Sequence, residues 1–189
     1  LHDIFPVIDS LHKTPKFSET GYPMVRVTDI KGGKLSLEST LRVNEAVFQE
    51  YTKKYKPKSG DIVFSRVGSY GNSSIVKTTK PFCLGQNTVI ASSKKDHSSE
   101  YIYQFLNTTF IKRQIEKNVD GSSHKTVSLK IIRNLKLLIP CKYEQKKIAD
   151  VLTNADKEIE LLEQQLADLK KEKKALMQQL LTGKRRVRV

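Results

Sequence analysis

The side chains best placed for chemistry in this sequence are those that read or hold a polyanion. Ser65-Arg66-Val67-Gly68-Ser69-Tyr70-Gly71-Asn72 sets Arg66, Ser69, Tyr70 and Asn72 in a polar loop, and Gly121-Ser122-Ser123-His124-Lys125-Thr126 offers Ser123, His124 and Lys125 in another. Thr14, Lys16, Arg26, Gln86 and Asn87 are further candidates in shorter segments. An arginine can present two parallel donors to the edge of guanine, and asparagine or glutamine can pair in the same bidentate way with adenine. Lysine, serine and backbone amides more often hold phosphates and set register. A plainer reading stays open beside this one: the glycines supply turns, and Asn87 pairs with the backbone.

Catalytic patterns are missing. Lys58-Ser59-Gly60 has the wrong order for a phosphate-binding Gly-Lys-Ser/Thr loop, and neither Gly-x-Ser-x-Gly nor His-Glu-x-x-His occurs. No Asn-Pro-Pro-Tyr or Asp-Pro-Pro-Tyr base-methylation motif is present. The acidic residues are too sparse and scattered to argue for a nuclease metal site. His2, His12, His97 and His124 are dispersed, and Cys83 and Cys141 form neither a disulfide framework nor a zinc spacing. The expectation is a protein without catalysis or metal, with two plain thiols in a reducing cytoplasm.

The elements that must position these residues change character near Pro140. Before it, short β-like runs alternate with Gly, Ser and Asn turns, which predicts an α+β domain of short strands and helices over residues 1–142. Met24–Val27 reads as a strand turned by Gly32-Gly33 into Leu35–Leu37 as a hairpin. Residues 45–55 have helical composition, with Ala46, Val47 and Tyr51 roughly on one face. Ile62–Ser65 reads as a buried strand, with further strands at 74–76 and 87–90. One helix is expected from Ser99 or Glu100 toward Asn118, and Leu135–Ile139 is expected to close the domain as a strand.

Beyond Pro140 the pattern is a long helix over residues 143–182, followed by a basic tail over 183–189. Ile148, Leu152, Ala155, Ile159, Leu162, Leu166, Leu169, Lys173, Leu176 and Leu180 recur in alternating steps of four and three. That is a heptad seam for a coiled coil, with Lys173 as a polar member at an a position. From Tyr143 to Leu181 the helix is roughly 58 Å long. A seam of this length predicts packing against another helix, in a second copy of the chain or in another subunit.

The chain has 189 residues and a formal net charge of +14. Residues 1–142 hold 23 basic and 12 acidic side chains, whereas residues 143–189 hold 11 and 8, so the mixed domain carries most of the field. This division suits a DNA-facing domain and a protein-facing helix. No run of about 18 apolar residues occurs, so no membrane partner is expected.

With these residues in view the chain resembles the specificity subunit of type I restriction–modification systems, in a half-length form. The resemblance rests on His12-Lys13-Thr14-Pro15, the 25–30 segment, Gly60-Asp61-Ile62-Val63-Phe64-Ser65-Arg66-Val67-Gly68 and Leu84-Gly85-Gln86-Asn87. It is carried further by Pro140, Glu144-Gln145-x-x-Ile148-Ala149-x-x-Leu152, Asp156-x-x-Ile159 and the ending Leu176–Lys184. A second proline close after the first is usual in the family, where this chain has Cys141-Lys142-Tyr143. The family pattern of two recognition domains and two such helices is halved here, without an internal repeat.

The resemblance implies a target recognition domain that reads half of a bipartite site in double-stranded DNA without catalysis. It implies that the helix is a spacer that docks the modification (methyltransferase) subunit, with a restriction/translocase subunit reached through the complex. S-adenosylmethionine and ATP would then sit on those partners and no cofactor on this chain. A half-length chain is expected to form a homodimer through the helix, antiparallel, with helix length setting the gap between half-sites at up to about 17 base pairs. Two rivals remain open, a stand-alone DNA-binding regulator and a coiled-coil scaffold with non-specific DNA affinity; a divergent nuclease ranks behind both.

Overall fold

The computed structural model describes residues 1–68, 71–119 and 126–187. In chain order the elements are β1 (Val7–Asp9), β2 (Tyr22–Val25), a 3-10 turn (Val27–Asp29), β3 (Leu41–Val43), α1 (Glu45–Thr52), β4 (Ile62–Ser65), β5 (Ser73–Ile75), β6 (Cys83–Leu84) and β7 (Thr88–Ala91). Then come α2 (Ser99–Leu106), α3 (Thr109–Asn118), α4 (Leu129–Arg133) and α5 (Lys142–Leu181). The class is α+β with a long C-terminal helix, as expected. The chain divides into two compact units, Leu1–Ala149 and Asp150–Val189.

In the first unit a four-stranded antiparallel sheet runs β1-β7-β4-β5, and a three-stranded sheet runs β3-β2-β6 with β2 and β6 parallel. Side chains alternate across a strand, so β4 sends Ile62 and Phe64 to one face and Val63 to the other. The first face is covered by α2, α3, α4 and the first turns of α5, through Ile102, Leu106, Ile111, Ile132 and Ala149. On the other face Val63 and Ile90 meet Val25 and Leu84 of the small sheet. The small sheet's far side, Met24, Val43 and Cys83, packs on Phe48 and Tyr51 of α1. Both faces of β4 and β7 are therefore buried, which is why their sequences are continuous apolar runs.

Local chemistry fixes the ends of these elements. Asn44, Ser98, Thr108 and Ser128 cap α1, α2, α3 and α4, each side chain accepting a backbone N–H of the first turn. Gly21 enters β2 at φ +115°, and a Cβ there would stand 2.3 Å from the Val43 carbonyl oxygen, so only glycine fits.

Several sequence expectations are corrected. The Gly32-Gly33 turn exists but does not form a hairpin. It delivers the chain to the edge of β5, where Leu35 N donates to Ile75 O at 2.9 Å and Ile75 N to Gly33 O at 3.0 Å. The antiparallel partner of β2 is β3 instead. The strand expected over Met24–Val27 stops at Val25, because Asp29 accepts the Arg26 backbone N–H at 2.8 Å and winds a 3-10 turn. On α1 it is Phe48 and Tyr51 that are buried, while Ala46 is exposed. The single helix over 99–118 is two, broken at Asn107-Thr108, where Thr108 caps α3. Leu135–Ile139 is not a strand: Gln114 binds both Lys136 N and Lys136 O, and Tyr101 Oη donates to Leu138 O at 2.7 Å, so side chains replace a ladder.

A candidate nucleic-acid interface

One end of the two sheets gathers several of the predicted residues. Arg66 follows β4 and is a four-way fastening. Its backbone N–H donates to Asn87 O at 3.0 Å and its carbonyl accepts from Val127 N at 2.8 Å. Its Nε donates to Val127 O at 3.1 Å, and one terminal nitrogen donates to both Asp9 oxygens at 3.2 and 3.1 Å. The end of β1, the end of β4, the turn before β7 and the chain just past the second polar loop are thereby joined. Asp9 is also paired with His12, Nε2 to Oδ2, at 3.0 Å. The Arg66 guanidinium is thus occupied within the protein, with 14% of its side chain exposed. Its visible part is positional, holding the roots of both large loops.

Beside it, β2 and β6 end in parallel, so Arg26 and Gly85-Gln86-Asn87 leave the small sheet together. Gly85 N donates to Val25 O at 2.8 Å, and a Cβ on Gly85 would lie 3.2 Å from that oxygen and 3.3 Å from Arg26 Cγ. Glycine permits this approach. Asp29 steadies the half-buried Arg26 guanidinium through Nε at 3.3 Å. Gln86 is exposed. Asn87 sits at φ +62°, a conformation that asparagine tolerates better than other side-chain-bearing residues. Asn72 is exposed where the loop after β4 returns to β5, its carbonyl accepting from Ser65 N at 3.0 Å.

Thr14 and Lys16 are exposed on a different stretch, fastened to α1 by Tyr51 Oη on Lys13 O at 2.7 Å and by the Lys13–Glu50 ion pair at 2.7 Å. Ser69, Tyr70, Ser123, His124 and Lys125 lie outside the described residues. Asp9 and Val127 were missed by sequence reasoning; a strand-end aspartate 57 residues from its arginine leaves no local signal. Among the described residues no group of three or more His, Cys, Asp or Glu side chains could hold a metal ion, and no helix is long and apolar enough to cross a membrane.

In the second unit the seam residues lie bare on α5: Leu162 is 55% exposed, Leu166 52% and Leu169 62%. Leu152, Ala155, Ile159, Lys173, Leu176 and Leu180 are exposed as well. Ile148 differs, being half-buried against the core of its own domain. The first turns of α5 belong to the first unit. There the buried Gln145 accepts from Ser98 N at 3.0 Å, donates to Pro140 O at 2.9 Å and lies 3.3 Å from His97 Nδ1.

A mixed domain with exposed Gln86 and Asn72 and half-buried Arg26 and Asn87 at one sheet end, continued by a helix with a bare apolar seam, defines a class of recognition module. The profile described as type I restriction modification DNA specificity domain matches residues 1–171, and the chain belongs to that family. It is 29% identical to the MjaX type I restriction enzyme specificity subunit of Methanocaldococcus jannaschii, over 96% of this chain and 44% of that protein. The MjaVIII specificity subunit of the same organism is 28% identical over 93% and 43%. The chain thus spans less than half the length of the curated relatives it matches.

Solved structures agree on the fold. A chain from a study of complex assembly and conformational transition of a type I R-M system superposes with a TM-score of 0.66 at 15% identity, over 94% of this chain and 42% of that one. The HsdS subunit of Thermoanaerobacter tengcongensis gives 0.57 at 14% identity, over 92% and 42%.

Proposed function

We propose that this chain is a non-catalytic DNA-reading subunit of a type I restriction–modification enzyme, that it recognises half of a bipartite site, and that it works as a homodimer joined through α5. The observation that carries this reading is the juxtaposition of Arg26, Gln86 and Asn87 at one sheet end, with Arg66 fastening the roots of both polar loops beside them. Gln86 and Asn87 have the chemistry to read base edges, and Arg26 that to read guanine or hold a phosphate. Asn72 adds an exposed amide where the loop after β4 returns to β5, and Ser69, Tyr70, Ser123, His124 and Lys125 are further candidates for DNA contact by residue type. Thr14 and Lys16 suit phosphate contacts. Arg66 serves by positioning.

In this reading residues 1–142 are the recognition domain and 143–182 the spacer helix, which docks the modification subunit. A restriction/translocase subunit joins through the complex, S-adenosylmethionine and ATP are bound by those partners, and the assembly works where the DNA is, in the cytoplasm. Two chains side by side through α5 would restore two recognition domains, matching the double length of the relatives. The test is site selection from random duplex DNA. A two-part motif should emerge, and Gln86→Ala should relax one position of it; selection of no motif at moderate salt would favour a scaffold with non-specific affinity.

A further inference from the structure

Two features of the bare seam on α5 single each other out: Ala155 is its smallest side chain and Lys173 its one charged side chain. In a parallel pair an a position faces its own copy, whereas in an antiparallel pair it faces a d position of the other copy. Parallel pairing would therefore press two Lys173 ammonium groups together in a drying seam and set Glu158 against Glu163 of the other copy.

An antiparallel pair centred on Gln164 behaves differently. It matches Leu152 with Leu176, Ile159 with Leu169 and Leu162 with Leu166, leaving none of these apolar residues overhanging. The same register sets Lys173 against Ala155. The room left by an alanine lets the aliphatic stem of the lysine lie across the seam while its ammonium reaches water. Sliding by one heptad in either direction instead places Lys173 on Ile148 or Leu162 and strands seam leucines at an end. The flanks do not set the register: Asp156 meets Lys170, whereas Glu158 meets Glu172 and Glu163 meets Glu163 of the other copy, each a small surface term.

We propose that Lys173 sets the orientation and register of a second copy of this helix by lying across Ala155 of that copy. The proposal rests on the homodimer reading above. The test is oxidative cross-linking of the full chain in a Cys141→Ser background, since Cys141 is exposed and Cys83 is buried. With Lys173 and Ala155 kept, the double variant Ile159→Cys/Leu169→Cys should run as a covalent dimer, while either cysteine alone should stay uncross-linked. Adding Lys173→Leu to the Ile159→Cys chain should create self-cross-linking, because the bar to parallel pairing is gone.

Self-cross-linking of Ile159→Cys alone and of Leu169→Cys alone, with Lys173 in place, would overturn the proposal in favour of a parallel pair. A chain that is dimeric by ultracentrifugation yet gives no link between positions 159 and 169 would overturn the register. A monomeric parent chain would overturn the homodimer reading itself, and the proposal with it.

Discussion

Arg66 and Asp9 are coupled at the point where both polar loops take root, so cutting Arg66 leaves Asp9 with its His12 contact but without its guanidinium. Arg66→Ala is expected to lower stability by about 2 kcal/mol in urea unfolding, through the lost charge-assisted bonds to Asp9 and Val127. It should also blur the selected DNA motif at several positions together. Gln86 is exposed at a turn, so Gln86→Ala should leave the unfolding curve within about 0.5 kcal/mol. It should still remove about 1–3 kcal/mol of discrimination at one base. Thiol chemistry gives an independent check on the packing. Burial pushes the Cys83 thiol up to about 12, while Cys141 is exposed. Alkylation of the native protein near neutral pH should therefore label Cys141 rapidly and Cys83 only on unfolding.

The elements were legible in the sequence where one pattern dominated. Ile62–Ser65 was read at its true limits because both of its faces are covered, and the apolar seam of α5 is periodic enough to define the helix alone. Elements held by distant partners were not legible. β3 and β6 are short strands whose pairing with β2 joins residues about 20 and 60 positions away in sequence, and no local pattern announces that. The stretch Leu135–Ile139 has strand composition, yet Gln114 and Tyr101 take its backbone groups. For the site, residue types at Arg26, Gln86 and Asn87 could be read, but not their convergence, which depends on the parallel β2–β6 pairing. The bonds from Arg66 to Asp9 and Val127 were not legible either, since those partners lie far off in sequence. Gln145 shows the same limit: its amide joins Ser98 and Pro140 from the first turns of α5. Gln145→Ala should cost about 2 kcal/mol by leaving those buried groups unpaired, measurable as a lowered urea midpoint.

At the scale of the whole molecule, charge and apolar surface are divided between the two units. The basic surplus lies mainly in residues 1–142, while α5 carries the bare seam. Leu162→Asp or Leu166→Asp should convert a dimer to a monomer in sedimentation, with little change in the fold of the recognition domain. On the register centred at Gln164 the two Asp150 positions stand about 42 Å apart along the helix axis, a span of about 12 base pairs. Inserting one heptad after Gln164 adds about 10 Å, so the preferred gap between half-sites should lengthen by about 3 base pairs.

Site selection from random duplex DNA with the purified chain, alone and with a cognate modification subunit, bears most directly on the claim that this is a dimeric half-site reader. A dimeric half-site reader should select a symmetric two-part motif with a fixed gap, sharpened by the modification subunit. Binding that follows salt concentration but selects no sequence under either condition would contradict it.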